Sequence, residues 1–143
     1  TPLYSSAASD VYKRQDNDLA VLKLVEKTVN ISPIQRKRKI EDINIGETVY
    51  AIGNPQGLGQ SVSMGIISAI GRKFINKEGS FIQTDASINP GNSGGALVDS
   101  NGNLLGVINF IESTTGGNQG LNFAIPIDVV SESYSKILKE TKR

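Results

Sequence analysis

Apolar residues in this chain fall in short runs separated by breaks rich in glycine and asparagine, a texture that favours strands. Leu19–Leu24 (LAVLKL) is nearly continuous and predicts a buried strand. Thr48–Ile52 (TVYAI) predicts another, ending at the turn cluster Gly53-Asn54-Pro55. Ser61–Ile70 (SVSMGIISAI) predicts a longer strand in which Gly65 marks a bend or bulge. Phe81–Thr84, Ala96–Val98, Leu104–Asn109 and Asn122–Ile125 predict further short strands, two of them joined by Asp99–Asn103 as a tight hairpin with Gly102 able to take positive φ. One segment follows the helical period instead. Ile127, Val130, Tyr134, Ile137 and Leu138 share a face, Asp128 sits in the first turn, and Lys136, Lys139 and Lys142 lie near the end, as the helix dipole favours. The pattern predicts an all-β, antiparallel barrel closed by a C-terminal amphipathic helix. Thr1–Gln15 carries neither period and matches no element.

Length and charge narrow the partners. A chain of 143 residues is one domain's worth. Its net charge of +1 predicts no general affinity for nucleic acid or anionic membrane, so the basic run Arg36–Lys39 is expected to be a solvated loop. No apolar run approaches the ~18 residues of a membrane span. The absence of Cys excludes a disulfide framework, a thiolate nucleophile and a Cys zinc site. The absence of His is sharper, because it removes the commonest general base and the commonest metal ligand from these residues.

Chemistry concentrates in Gly91-Asn92-Ser93-Gly94-Gly95. A serine hydroxyl is a poor nucleophile without a base to take its proton and donors to receive the oxyanion. Flanking glycines let several backbone N–H groups converge beside Oγ. The same residues satisfy GxSxG, the nucleophile elbow of α/β-hydrolases, but that motif needs a helix after the Ser and a later His. Here Ala96-Leu97-Val98 runs into a hairpin and no His follows. The elbow reading fails on context.

Five blocks occur in order: Asp18–Leu24, Tyr50–Pro55, Gln83–Ala86, Asn89–Leu97 and Asn122–Pro126. Together they resemble the HtrA/DegP family of chymotrypsin-like serine proteases, over roughly Asp18 to Leu138. The resemblance implies two β-barrels with the active site between them, of which residues 16–40 are the end of the first and its connection, and 41–143 the second barrel with its helix. Residues 1–15 are left unassigned, a foreign origin being open. It implies Ser93 as nucleophile and Asp18 as the triad acid that orients the His, although Asp18 alone would read as a strand-end carboxylate. Gly91, Asn92 and Ser93 would form the oxyanion hole through the N–H groups of Gly91 and Ser93.

The position six before the nucleophile, an Asp in trypsin-like enzymes, is Ser87, which leaves no carboxylate for a basic guest. Cleavage after small aliphatic residues is therefore implied. Ile88 and Ile111 would line the pocket, unless they are plain barrel core, and Asn109, Phe110 and Ile111 would offer a strand edge to the substrate backbone. Asn92 stands where chymotrypsin relatives have the Asp that captures a freshly cut N-terminus, so that ion pair is not available. The loops Gly71–Ser80 and Glu112–Gly120 would order the oxyanion loop instead, the first receiving a regulatory signal.

No cofactor is implied. Unfolded or misfolded polypeptides are the implied partners, with no nucleic acid and no integral membrane segment, in a homo-oligomer of the periplasm or cell envelope. The family's His belongs upstream of Asp18, and nothing in the preceding residues resembles its motif. The expectation is a His-less fragment, inactive alone, of an active endopeptidase. The alternative is a catalytically dead pseudoprotease that binds peptides. The lone strand Leu19–Leu24 would also leave an apolar, aggregation-prone edge.

Overall fold

The computed structural model describes residues 8–14, 18–24, 32–54, 59–74, 77–89, 91–109 and 121–141. Strands β3 (Thr48–Gly53), β4 (Ser61–Phe74), β5 (Lys77–Thr84), β6 (Ala96–Asp99), β7 (Leu104–Asn109) and β8 (Asn122–Pro126) form a closed antiparallel barrel in the order β3-β4-β5-β8-β7-β6. Inward residues of β-branched and aliphatic type fill it: Val49, Ile67, Ile82, Leu97, Leu105 and Ile108 are essentially inaccessible. Pairing of β3 with β6, from Val49 opposite Asp99 to Ile52 opposite Ala96, closes the ring. The expected antiparallel barrel with its C-terminal helix is thus found: backbone hydrogen bonds close the ring, and α1 (Ile127–Thr141) packs outside it against β7, β8 and the N-terminal strands.

The helix buries only part of the expected face. Ile127 and Ile137 are buried as the period required, but Tyr134 and Leu138 are exposed and Ser133 is buried in their stead. Asp128 does more than complement the dipole: its Oδ2 accepts the Ile40 N–H at 2.8 Å, tying the helix start to the chain before the barrel. Lys142 lies outside the described residues.

Two strand expectations also change. The segment Gly71–Ser80, expected as a loop, continues β4 and begins β5 over 71–74 and 77–80. Its ladder is irregular between Ile67 and Phe74, and Phe74 meets the edges of Phe81 and Phe123 at centroid distances of 5.3 and 4.7 Å. Those aromatic contacts extend the hairpin past the point where its alternation fades. At the other end, Ala8–Arg14 forms β1, an antiparallel partner of β2 (Leu19–Leu24), although its own sequence showed no strand period. Backbone pairing to a partner needs no alternation. The ribbon leaves Leu22 exposed and Leu19 and Val21 half-buried, so β2 is not the buried strand expected. A cavity of about 290 Å³ lies between it and α1, lined by Leu19, Val21, Ile127, Val130, Tyr134 and Ile137.

The basic run is corrected as well. Arg36, Lys37 and Lys39 are exposed, but the Arg38 main chain bonds to the Leu104 carbonyl (3.0 Å) and its guanidinium meets Glu47 Oε2 (2.7 Å) and Asp99 Oδ2 (3.1 Å). Arg38 also donates to the Asp42 carbonyl. One of four adjacent cations is thus a clamp between the approach segment and the barrel, and the others are solvated.

Candidate active site

The Gly91–Gly95 segment lies in the connection from β5 to β6 at one end of the barrel, and its backbone is tied by four hydrogen bonds. Asn92 N–H donates to the Asn89 carbonyl (3.0 Å), Gly95 N–H to the Asn92 carbonyl (2.9 Å) and Gly94 N–H to the Ile108 carbonyl (2.8 Å). Ile108 N–H returns a bond to the Gly95 carbonyl at 2.8 Å, so the segment is stitched to β7 beside Asn109. Gly91 and Gly94 have φ of 104° and 86°, a region open to glycine and costly for side chains with a Cβ. Two of the motif's three glycines are thereby explained by conformation. Ser93 ends up exposed, as are Gly91 and Gly94, while Asn92 beside it is only 5% accessible.

The N–H groups of Asn92, Gly94 and Gly95 are spent inside the fold. They alternate with Gly91 and Ser93, the two that the resemblance assigns to the oxyanion hole. Asn92 itself contributes its backbone to the turn, while its carboxamide faces inward, toward Gly53, rather than toward the cleft. Asn109, the last residue of β7, is also buried at 6%. Asn92 Oδ1 and Asn109 Nδ2 are buried atoms without a hydrogen-bond partner among the described residues.

The approach to the motif is held by four side chain–backbone bonds that the sequence did not disclose. Thr84 Oγ1 accepts the Ala86 N–H (3.1 Å), Asp85 Oδ1 accepts the Ile66 N–H (2.7 Å), Asn122 Nδ2 donates to the Ala86 carbonyl (2.9 Å) and Ser63 Oγ donates to the Ser87 carbonyl (2.7 Å). Gly65 is the residue that permits this crossing, because a Cβ there would overlap the Ala86 backbone and the Asp85 carboxylate. The bend expected at Gly65 is thus a close approach of two main chains. These bonds fix residues 85–87, the stretch that leads toward the Gly91–Gly95 turn. Removing Asn122 strands a fully buried carbonyl, whereas removing Ser63 frees one near water. Asn122→Ala is expected to lower the unfolding free energy by about 1–3 kcal/mol and Ser63→Ala by no more than about 1 kcal/mol, read from urea midpoints.

Of the other sequence-designated residues, Ile88 is 3% exposed and belongs to the barrel core cluster. Phe110, Ile111 and the loop Glu112–Gly120 lie outside the described residues. Asp18 occupies the turn entering β2, exposed and at φ 53°, on the two-stranded ribbon and not on the barrel that carries Ser93. The structure therefore gathers Gly91, Asn92, Ser93 and Asn109 at one barrel end, and places Asp18 on a separate sheet. Among the described residues no group of three or more Asp or Glu side chains is arranged to hold a metal ion. No described helix is long and apolar enough to cross a membrane.

Comparison with known proteins gives this geometry relatives. The trypsin-like peptidase domain family matches residues 4–107. The serine endoprotease DegS of Haemophilus influenzae is 48% identical over 128 residues, 86% of this chain and 37% of its own length. The periplasmic serine endoprotease DegP of Escherichia coli is 42% identical over 134 residues, 92% of this chain and 28% of its own. Among solved structures, the HtrA-type protease AlgW with a decapeptide superposes with a TM-score of 0.81 at 46% identity, covering 91% of this chain and 40% of that one. The chain thus spans less than half the length of each of these three relatives.

Proposed function

The chain belongs to the trypsin-like peptidase family, in its HtrA/DegP branch of serine endoproteases, and on that premise we propose that it carries the nucleophile half of an endopeptidase site. The observation that supports this most directly is the hydrogen-bonded turn at Gly91–Gly95, which leaves Ser93 exposed beside the buried Asn92. Ser93 attacks the scissile carbonyl, the N–H groups of Gly91 and Ser93 receive the oxyanion, and Asp18 orients a histidine that these 143 residues do not contain.

Ile88 and Ile111 line the pocket, and Asn109, Phe110 and Ile111 offer a strand edge to the substrate backbone. With Ser87 in place of a carboxylate the pocket favours small aliphatic side chains. Unfolded or misfolded polypeptides in the periplasm or cell envelope are the substrates, and the complete protein works as a homo-oligomer. A peptide-binding pseudoprotease is the second reading, supported by the zero histidine count.

A chimera separates the two. Joining the His-containing segment that precedes the corresponding Asp in the Haemophilus DegS to residues 18–143 is expected to give casein cleavage that is abolished by Ser93→Ala and cut by about 10⁴ in kcat by Asp18→Asn. A folded chimera that binds unfolded casein without cutting it establishes the pseudoprotease instead.

A further inference from the structure

Asn92 is the peptide neighbour of Ser93, and its position is set by an unusual contact. A buried carboxamide is ordinarily held by hydrogen bonds on both of its ends. Here Oδ1 has no hydrogen-bond donor among the described residues. It rests on Gly53, the last residue of β3. A Cβ built on Gly53 would lie 2.5 Å from Asn92 Oδ1 and 3.0 Å from both Cα and Cγ of Asn92. Gly53 does not adopt positive φ, so space and not backbone conformation requires glycine there. The side of Gly53 that a Cβ would occupy is therefore the side that Oδ1 fills.

The contact is reciprocal. A Cβ on Gly95 would overlap the Ile52 carbonyl, so the loop gives way to β3 at one residue and β3 to the loop at the next. Two glycines, one on each element, set the distance between the end of β3 and the segment that carries the nucleophile.

We propose that Gly53 is a positioning residue for the nucleophile loop, acting through Asn92; this rests on the reading of Ser93 as the nucleophile. A methyl group at 53 pushes on the side chain and the α-carbon of Asn92, and the main chain carries that displacement to Ser93 and to the N–H groups beside it. Active sites lose about 10²-fold in rate for a misplacement near 1 Å, so this contact has leverage on catalysis without touching substrate.

The test uses this chain labelled with ¹⁵N. Gly53→Ala is expected to move the amide resonances of Asn92, Ser93, Gly94 and Gly95. It should also speed hydrogen exchange at the Gly95 N–H by about tenfold or more, leaving the β7–β8 ladder protected. Truncating the carboxamide removes the contacts at Oδ1 and Cγ and leaves only the one at Cα, so the double variant G53A/N92A is expected to bring Gly94 and Gly95 most of the way back to their positions in N92A alone. Unchanged resonances at 92–95 in G53A, or a double variant displaced as far as the single one, overturn the proposal. If G53A does not fold, the double variant decides: folding supports the contact, and failure to fold overturns it. In the unaltered chain a nuclear Overhauser effect between the Gly53 α-protons and Asn92 is also required, and its absence overturns the proposal too. None of these readouts needs Ser93 to react, so a failure of the nucleophile reading shows separately in the chimera.

Discussion

A fluorophosphonate probe will leave Ser93 of this chain unlabelled on the timescale that saturates an intact relative such as the Haemophilus DegS. The probe reports an activated serine, and activation needs a base within hydrogen-bond reach of Oγ. These residues contain no imidazole. Losing the base of a triad costs about 10⁶ in kcat, and what persists, about 10³–10⁴ over water, comes from the oxyanion hole and from binding. On the proposed reading the turn at Gly91–Gly95 would provide the first of these, so the expected rate is slow but above that of a denatured control. Labelling of Ser93 near the rate of the intact protease would mean that another group serves as base and would sink the prediction. Labelling no faster than in the unfolded chain would mean that the oxyanion donors are not in place.

How much of this was legible in the sequence depends on the range of the interaction involved. β7 is found at Leu104–Asn109 as its apolar pattern required, and the Asp99–Asn103 hairpin has Gly102 at φ 75°, because both are set by residues within one turn or one strand. The glycines around Ser93 were legible for the same reason. What escaped were contacts between distant residues. Ser63 and Ser87 are 24 positions apart and Asn122 and Ala86 are 36 apart, and neither pair carries a local signature. The blocks Gln83–Ala86 and Asn122–Pro126 stood out as part of a resemblance, yet nothing in their spacing showed that they are stapled to one another. Composition misled at Arg38 in a related way. Four adjacent cations read as solvent-facing charge, and only the fold brings Glu47 and Asp99 to one of them. At β1 the miss is of another kind, since a strand that borrows its pairing from a neighbour shows no period of its own.

Replacing Asp99 by Asn is expected to destabilise the barrel more than any other polar substitution named here. Asp99 ends β6 at 5% exposure, and both of its oxygens are occupied. Oδ1 accepts the N–H groups of Asn101 and Asn103, each at 2.9 Å, while Oδ2 accepts Asn103 Nδ2 at 2.8 Å and Arg38 Nη1 at 3.1 Å. An Asn must turn its NH₂ toward one of those donor pairs, so two donors face a third, and Arg38 loses a buried counter-charge. A cost of about 3–5 kcal/mol follows, seen as a fall on the order of 10 °C in Tm. Arg38→Met should cost less, about 1–3 kcal/mol, because the hairpin donors remain on Asp99 and Asn44 remains on Glu47. The same cluster sets an acid response. Burial alone would raise the Asp99 carboxyl, but the bonds from Asn103, Arg38 and Asn101 outweigh it and hold the group below its usual range. The Arg38 hydrogen bond, then that of Asn44, lowers Glu47 from 4.5 to about 2. Depressed carboxylates stabilise the fold above their unfolded pKa and lose that contribution as pH falls through the folded one, here between about 4.5 and about 2. Arg38 is shifted upward, away from any accessible pH, and adds no slope. Urea unfolding of the unaltered chain should therefore show stability falling through that acid window, with a shallower fall in Asp99→Asn. Equal acid slopes in the two proteins, or a Tm within a few degrees of the parent, would show that the clamp does not hold the barrel to the segment before it.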